Sequence, residues 1–107
     1  MLITTQDRFD DHQIVETIGL VKGSTIRARH IGTDIMAGLR NIVGGEVHEY
    51  TKMLAESREQ SIDRMVADAE NMSANAVVCM RFTTSTIMSG MAEFMAYGTA
   101  VRIEPNN

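Results

Sequence analysis

Cysteine, proline and tryptophan are almost missing from this chain of 107 residues, which contains one cysteine, one proline and no tryptophan. The single thiol, Cys79, cannot form an intrachain disulfide, and a chain without disulfides is typical of a reducing compartment. No apolar run approaches the ~20 residues that are needed to cross a bilayer. The first residues also lack the basic and apolar regions of a signal peptide. We therefore expect a cytoplasmic protein that does not enter a membrane.

An excess of positive charge is missing as well. The chain has 10 lysine and arginine residues against 14 aspartate and glutamate residues, which gives a formal net charge of −4. Nucleic-acid phosphates and anionic membrane surfaces both require a basic patch, so neither is an expected partner. Hydrophobic residues make up 44% of the chain and charged residues 22%, which is typical of one globular domain over residues 1–107. We expect residues 103–107 to form a flexible tail.

Hydrophobic periodicity predicts an α+β fold. Apolar and small side chains recur every three or four residues over 46–73, where no glycine or proline interrupts them, and this predicts one long helix. β-branched residues over 13–29 predict one bent strand or two strands, with Gly19 and Gly23 marking bulges or a turn. Further elements are predicted at residues 2–5 (edge strand), 34–43 (short helix), 76–84 (strand) and 91–103 (strand). The order β-α-β-β predicts two layers, with the long helix on one face of an antiparallel sheet.

The alternation of side chains along the predicted strands leaves apolar residues on both faces of the sheet. One face of the third strand is wholly apolar (Ala76, Val78, Met80, Phe82), and we expect it to lie under the helix. The opposite face is expected to carry apolar residues as well, drawn from Val15, Val21, Val77, Cys79, Met95, Tyr97 and Val101. A patch of that size marks an association surface. The pattern therefore predicts a homo-oligomer with the second face of the sheet, or its edges, at the interface.

The most patterned stretch is DIMAGLRNIVGGE, residues 34–46, and it permits two interpretations. In the first, Gly44 and Gly45 turn the short helix into the long one, and Asp34 pairs with Arg40 within this corner or across a subunit boundary. Tyr50 then packs its ring and points its hydroxyl at a polar partner. In the second, the same corner is a cleft for a small anion, with the Arg40 guanidinium as the fork that binds it. The sequence favours the structural corner, and both interpretations are kept as hypotheses.

Metal and catalytic sites are not complete within the sequence of one chain. Soft metals need several thiolate, thioether or imidazole ligands at one point. The chain offers Cys79 and three separated histidines, His12, His30 and His48, without a Cys-x-x-Cys or Cys/His cluster. A ring of subunits could bring copies of Cys79 or His30 together, with thioethers added by Met88, Met91 and Met95. No nucleophile is placed against a base, so we expect a protein that is not an enzyme and assign it no cofactor.

Three segments carry a family resemblance: RHIGTDIMAGLRNIVGGEVHEYTKML (29–54), NAVVCMRF (75–82) and AYGTAV (96–101). They resemble the YbjQ-like family of uncharacterised bacterial proteins, which is labelled "putative heavy-metal-binding domain". The resemblance implies a dodecin-like β-α-β-β subunit in a ring-shaped homopentamer. The family motif falls here on Asp34, Gly38, Arg40, Gly44, Gly45 and Tyr50.

The resemblance also marks two departures. Related chains usually have glycine at the position of Ser73 and commonly at that of Cys79. A role for the Cys79 thiol therefore does not transfer from the family. The resemblance implies no specific activity beyond the metal-binding label.

Overall fold

The computed structural model describes residues 1–27, 48–88 and 91–107, and these form four strands and one helix. In chain order the elements are β1 (Leu2–Ile3), β2 (His12–Arg27), α1 (His48–Asn71), β3 (Ala76–Met88) and β4 (Met91–Pro105). The α+β architecture with one long helix is confirmed. The predicted short helix at 34–43 lies outside the described residues. The described helix is not long and apolar enough to span a bilayer.

The strands form one sheet in the order β1-β3-β4-β2. β4 is antiparallel to both β2 and β3, whereas β1 runs parallel to β3, with Ile3 opposite Val77. The sheet is therefore mixed, and the prediction of an antiparallel sheet is wrong for β1. A parallel neighbour needs a long connection, which β2 and α1 provide between β1 and β3. β2 is one strand, and the predicted bulge at Gly19 is confirmed by a register shift there and a φ of 151°.

α1 packs on β2 and β4 through a row of mostly small side chains. Ser57, Ser61, Met65 and Ala69 are buried at intervals of four residues, so they share one face of the helix. This row reaches β2 at Gly23, where an added Cβ would collide with the carbonyl oxygen of Ser61 and the amide nitrogen of Met65. Gly23 is therefore the point of close approach between helix and sheet, rather than a bulge or turn.

The end of α1 is a Schellman motif. The amide of Ala74 donates to the carbonyl of Ala69 at 3.1 Å, and the amide of Ser73 donates to the carbonyl of Glu70 at 3.0 Å. Ser73 has a φ of 64°, the left-handed conformation that glycine normally supplies at this position. The predicted end of the long helix near residue 73 is confirmed.

A bulge in β3 changes which side chains lie under the helix. Between its pairings with Thr99 and Tyr97 of β4, β3 has two residues, Cys79 and Met80, opposite Gly98 alone. Cys79 has a φ of 57°, as the first residue of a G1-type bulge requires. The extra residue inverts the alternation of side chains along the strand.

The predicted assignment of side chains to the two faces of β3 is wrong for the residues that precede this bulge. Ala76 and Val78 lie on the sheet face away from α1, and Val77 lies beneath α1 in the main core. Beyond the bulge, Met80 packs against that main core as predicted. Phe82 is cross-strand from the core residue Ala96, but it is largely exposed.

The face of the sheet away from α1, called the far face below, is covered at one end. Phe9, in the segment between β1 and β2, packs on a buried cluster of Ala76, Val78, Val101 and Ile103. Of the residues predicted for this face, Val21 and Val77 are instead in the core beneath α1. Toward the end of β3 and the start of β4 the far face remains open, with Leu20 67% and Ile26 52% exposed.

The C-terminal residues are more ordered than predicted. β4 continues to Pro105, and Ile103 is buried. The backbone amide of Asn106 donates to the carbonyl of Asp11 at 3.0 Å, and its side-chain amide donates to the carbonyl of Asp10 at 3.1 Å. The prediction of a flexible tail from residue 103 is therefore wrong.

Candidate functional site

The predicted corner at residues 34–46 is not among the residues that the structure describes. Asp34, Arg40, Gly44 and Gly45 lie outside the described residues. Tyr50 lies in the first turn of α1, and its side chain is not among those described. The corner and the anion cleft therefore both remain predictions.

A polar seam runs between β2 and α1. Arg27, the last residue of β2, donates from Nε to the Ser57 hydroxyl at 2.7 Å and from Nη2 to Oε1 of Gln60 at 3.3 Å. Ser57 in turn donates to the carbonyl of Met53 at 2.8 Å. The periodicity placed Ser57 on the buried face of the helix, but it did not reveal that Arg27 binds it.

The Ser61 hydroxyl occupies the middle of the same seam. It lies 2.9 Å from the carbonyl of Ser57, 2.9 Å from the carbonyl of Phe94 and 3.2 Å from the Thr25 hydroxyl. Among the described residues, no buried side-chain nitrogen or oxygen lacks a partner. A buried polar group that has all its partners stabilises packing, so the seam holds α1 on the sheet.

The Cys79 bulge faces an open hollow of about 820 Å³ beside the segment between β1 and β2. The backbone holds this segment in place, because the amide of Cys79 donates to the carbonyl of Gln6 at 2.8 Å. The Cys79 side chain is partly exposed. The hollow is lined by Thr5, Gln6, Asp7, Arg8, Asp10, Cys79 and Arg81.

Two arginines and two aspartates line this hollow, so their formal charges cancel. Arg81 donates from Nη1 to the carbonyl of Thr5 at 2.8 Å and to that of Met80 at 2.9 Å. Arg8 and Asp10 form a loose, exposed pair with 3.9 Å between Nε and Oδ1. The guanidiniums provide hydrogen-bond donors and the thiol provides one soft ligand, but the two aspartates offset the positive charge and one thiolate does not complete a soft-ion site.

A heavy-metal site is not complete in the described part of one chain. Within residues 1–27, 48–88 and 91–107, no three His, Cys, Asp or Glu side chains are placed to share a metal ion. His30 is not described. Met88 lies nine residues along β3 from Cys79, which at about 3.3 Å per residue separates them by roughly 30 Å. One chain therefore does not bring Cys79 and Met88 together, and the remaining ligands would have to come from other copies.

His12 lies at the end of the sheet opposite to Met88, where it contacts Asp11 and Phe9. Its Nδ1 lies 2.7 Å from Oδ1 of Asp11, and its ring meets Phe9 edge to face with 6.3 Å between centroids. The hydrogen bond with His12 lowers the pKa of the Asp11 carboxyl, and a backbone hydrogen bond lowers it further. These contacts hold the start of β2 in place. Because Asp11 is exposed, the pair does not form an enclosed site.

The described residues define a two-layer α+β protein with a thiol at a sheet bulge. The chain belongs to the YbjQ-like family, because the family model described as "Putative heavy-metal-binding" matches residues 1–104. A UPF0145 protein of Dehalococcoides mccartyi is 55% identical over 104 residues, covering 97% of this chain and all of that protein. A UPF0145 protein of Methanosarcina acetivorans is 57% identical over 103 residues, covering 96% of this chain and 97% of that protein.

A relative in Shewanella frigidimarina is 48% identical over 106 residues, covering 99% of both chains. Relatives occur in archaea as well as bacteria, so the family is not confined to bacteria. The fold is also shared with a crystal structure of a DUF74-family protein of unknown function from Pediococcus pentosaceus. The TM-score is 0.64 at 13% identity, with 97% of this chain and 98% of that chain covered. At this identity the likeness concerns the fold alone.

Proposed function

We propose that the protein is a cytoplasmic homo-oligomer with a structural or small-ligand-binding role and no catalytic activity. The observation that carries this proposal is the open part of the far face. Leu20 and Ile26 project from it largely exposed, and Met95 and Tyr97 lie partly exposed on β4. Apolar side chains gathered on one open surface favour association. The resemblance implies a ring of five copies, and a small anion at Arg40 is the ligand that the sequence suggests.

The far face can be tested by making it more polar. We expect the double variant Leu20→Ser, Ile26→Ser to keep its fold, because both side chains are largely exposed in the single chain. Its assembly should dissociate at concentrations where the wild type remains associated, which sedimentation velocity over a dilution series would measure. Lys22→Ser is the matched control, since Lys22 lies between these two residues on the same face and is already polar. Equal association of the double variant and the wild type would contradict a role for this face.

A soft-metal role for Cys79 is the second candidate, supported by the partly exposed thiol on the hollow and by the family description. One thiolate is too few for a stable soft-metal site, so copies of Cys79 from several chains would have to share the ion. Under this proposal, native mass spectrometry under reducing conditions finds Cd²⁺ bound at less than one equivalent per chain, because several chains share each ion, and Cys79→Ser abolishes the binding. Met88→Leu, which removes a distant thioether, should leave the stoichiometry unchanged. Absence of Cd²⁺ binding by the wild type would remove this candidate.

A further inference from the structure

Two methionines lie opposite each other where β3 ends and β4 begins. Met88 is the last residue of β3, Met91 is the first residue of β4, and the two are cross-strand partners. Regular pairing beyond Thr86 and Ala92 would place Ile87 opposite Met91, but a register shift brings Met88 there instead. Side chains directly opposite each other in an antiparallel pair have Cβ atoms about 4.5–5.5 Å apart. The fold therefore places two thioether side chains next to each other within one chain.

Neither of these methionines packs in the core formed by the described residues. β2 ends at Arg27, opposite Ala92, so Met91 has no residue of β2 beside it. Met88 is 59% exposed and Met91 is partly exposed, and neither belongs to the two buried clusters. Met65, by contrast, is fully buried in the main core, where methionine commonly fills gaps. The thioethers of Met88 and Met91 are therefore accessible to a ligand.

The chemistry of this pair favours a soft monovalent cation. Thioether sulfur is polarizable and uncharged, and soft ligands of this kind select Cu(I). Two sulfurs that bind one ion from opposite sides, at roughly the 2.3 Å of zinc–sulfur bonds, lie about 4.6 Å apart. The cross-strand spacing of the two side chains matches this distance. The three rotatable bonds of each methionine allow both sulfurs to turn toward the same ion.

We propose that Met88 and Met91 of one chain form a two-coordinate site for a soft monovalent cation, Cu(I) or its analogue Ag(I). The site goes beyond the proposed function and is separate from the Cys79 candidate, which lies roughly 30 Å away along β3. For monovalent ions alone, it revises the expectation that one chain lacks a complete soft-metal site. Two uncharged sulfurs leave both charges of Cd²⁺ uncompensated, so the pair discriminates against that ion.

Silver binding to the full chain tests this site in the Cys79→Ser background, which removes the only thiol. Native mass spectrometry in chloride-free buffer should find one Ag⁺ per chain. Met88→Leu and Met91→Leu, added singly, should each lose the ion because only one of the two thioethers remains. Leucine is close to methionine in size, so we expect these variants to fold. The control Met72→Leu, Met95→Leu removes two other accessible thioethers and should retain the ion.

X-ray absorption at the silver edge gives a second measurement that needs no methionine variant. On the Cys79→Ser chain loaded with Ag⁺, it should show two sulfur neighbours, which can only be methionine sulfurs. Absence of bound silver, retention of silver by Met88→Leu or Met91→Leu, or a silver ion without two sulfur neighbours would overturn the proposal. Each of these results leaves the proposed assembly and the Cd²⁺ test of Cys79 unaffected, so failure of this site is distinguishable from failure of the proposed function.

Discussion

Ser73 and Cys79 are the two residues other than glycine that hold a positive φ within the described backbone, at 64° and 57°. Ser73 is the left-handed residue of the Schellman motif, and Cys79 is the first residue of the bulge. Both positions favour glycine, and the family resemblance places glycine at both. The left-handed conformation costs a residue with a Cβ roughly 1–2 kcal/mol. At these two positions the chain therefore folds against a local backbone preference.

Ser73→Gly should relieve one of these strains. We expect the free energy of unfolding to rise by about 1 kcal/mol, which corresponds to roughly 4 °C or more in Tm for a domain of this size. Differential scanning calorimetry would measure the change. Ser73→Ala is the matched control, because it removes the hydroxyl but keeps the Cβ and so should bring no gain. An equal gain from alanine would show that the backbone conformation is not the cause.

The same residues explain where prediction from the sequence succeeded and failed. The end of the long helix was predicted because its apolar period stops near residue 73, where Asn71, Ser73 and Asn75 are typical helix-stop residues. The faces of β3 before the bulge were predicted incorrectly because the bulge is led by Cys79 rather than glycine. A glycine there would have suggested a bulge, as Gly19 did in β2. With cysteine in its place, strict alternation was the natural but wrong assumption.

At the scale of elements, the contact between α1 and β2 determines how closely the two layers approach. Gly23 lies against the helix backbone at Ser61 and Met65, so the layers meet without a side chain between them. Next to this contact, the buried Ser57 hydroxyl accepts a hydrogen bond from Arg27, and the buried Ser61 hydroxyl lies beside that of Thr25. Close backbone approach and a hydrogen-bonded seam together fix the position of α1 along the sheet.

Gly23→Ala should weaken this contact strongly. A Cβ at residue 23 would collide with backbone atoms of α1, which cannot move aside as a flexible side chain would. We expect the free energy of unfolding to fall by about 3 kcal/mol, the upper part of the range for overpacked cores. Urea denaturation followed by circular dichroism would measure it.

Ser24→Ala is the neighbouring control, since Ser24 is cross-strand from Met95 on the far face. Its effect should stay within about 0.5 kcal/mol. Wild-type stability of Gly23→Ala would contradict the close approach of α1 and β2.

Long elements were predicted well from the sequence, and short or side-chain-dependent features were not. The helix over 48–71 was predicted because its apolar period extends over many turns. The direction of β1 was not, because two residues carry no information about parallel or antiparallel pairing. The seam between Arg27 and Ser57 was missed because it joins positions 30 residues apart whose alignment depends on the packed layers.

At the scale of the whole molecule, the chain is long and thin. Its extents are 58 × 27 × 16 Å, and its radius of gyration is 17.4 Å, compared with about 13 Å for a compact chain of this length. β2 alone has 16 residues, which at about 3.3 Å per residue spans roughly 50 Å. A two-layer molecule of this shape has a high ratio of surface to core, which favours burial of further surface between copies.

This shape also explains why the candidate site could be predicted only in part. The sequence predicts that one chain lacks a complete soft-metal site, which stays a prediction, and the structure places Cys79 distant from Met88 along β3. The hollow beside Cys79 was not predicted, because it depends on the bulge and on the segment between β1 and β2. A ligand shared between copies would depend on their arrangement, which periodicity within one chain does not encode.

The central claim is that copies of this chain cover sheet surface that one helix leaves open. Multi-angle light scattering of the purified wild type at micromolar concentration tests it most directly. Assembly predicts a mass of two or more times 11.8 kDa, with five copies being the number that the resemblance implies. A mass of 11.8 kDa for a folded chain, unchanged by concentration, would contradict it.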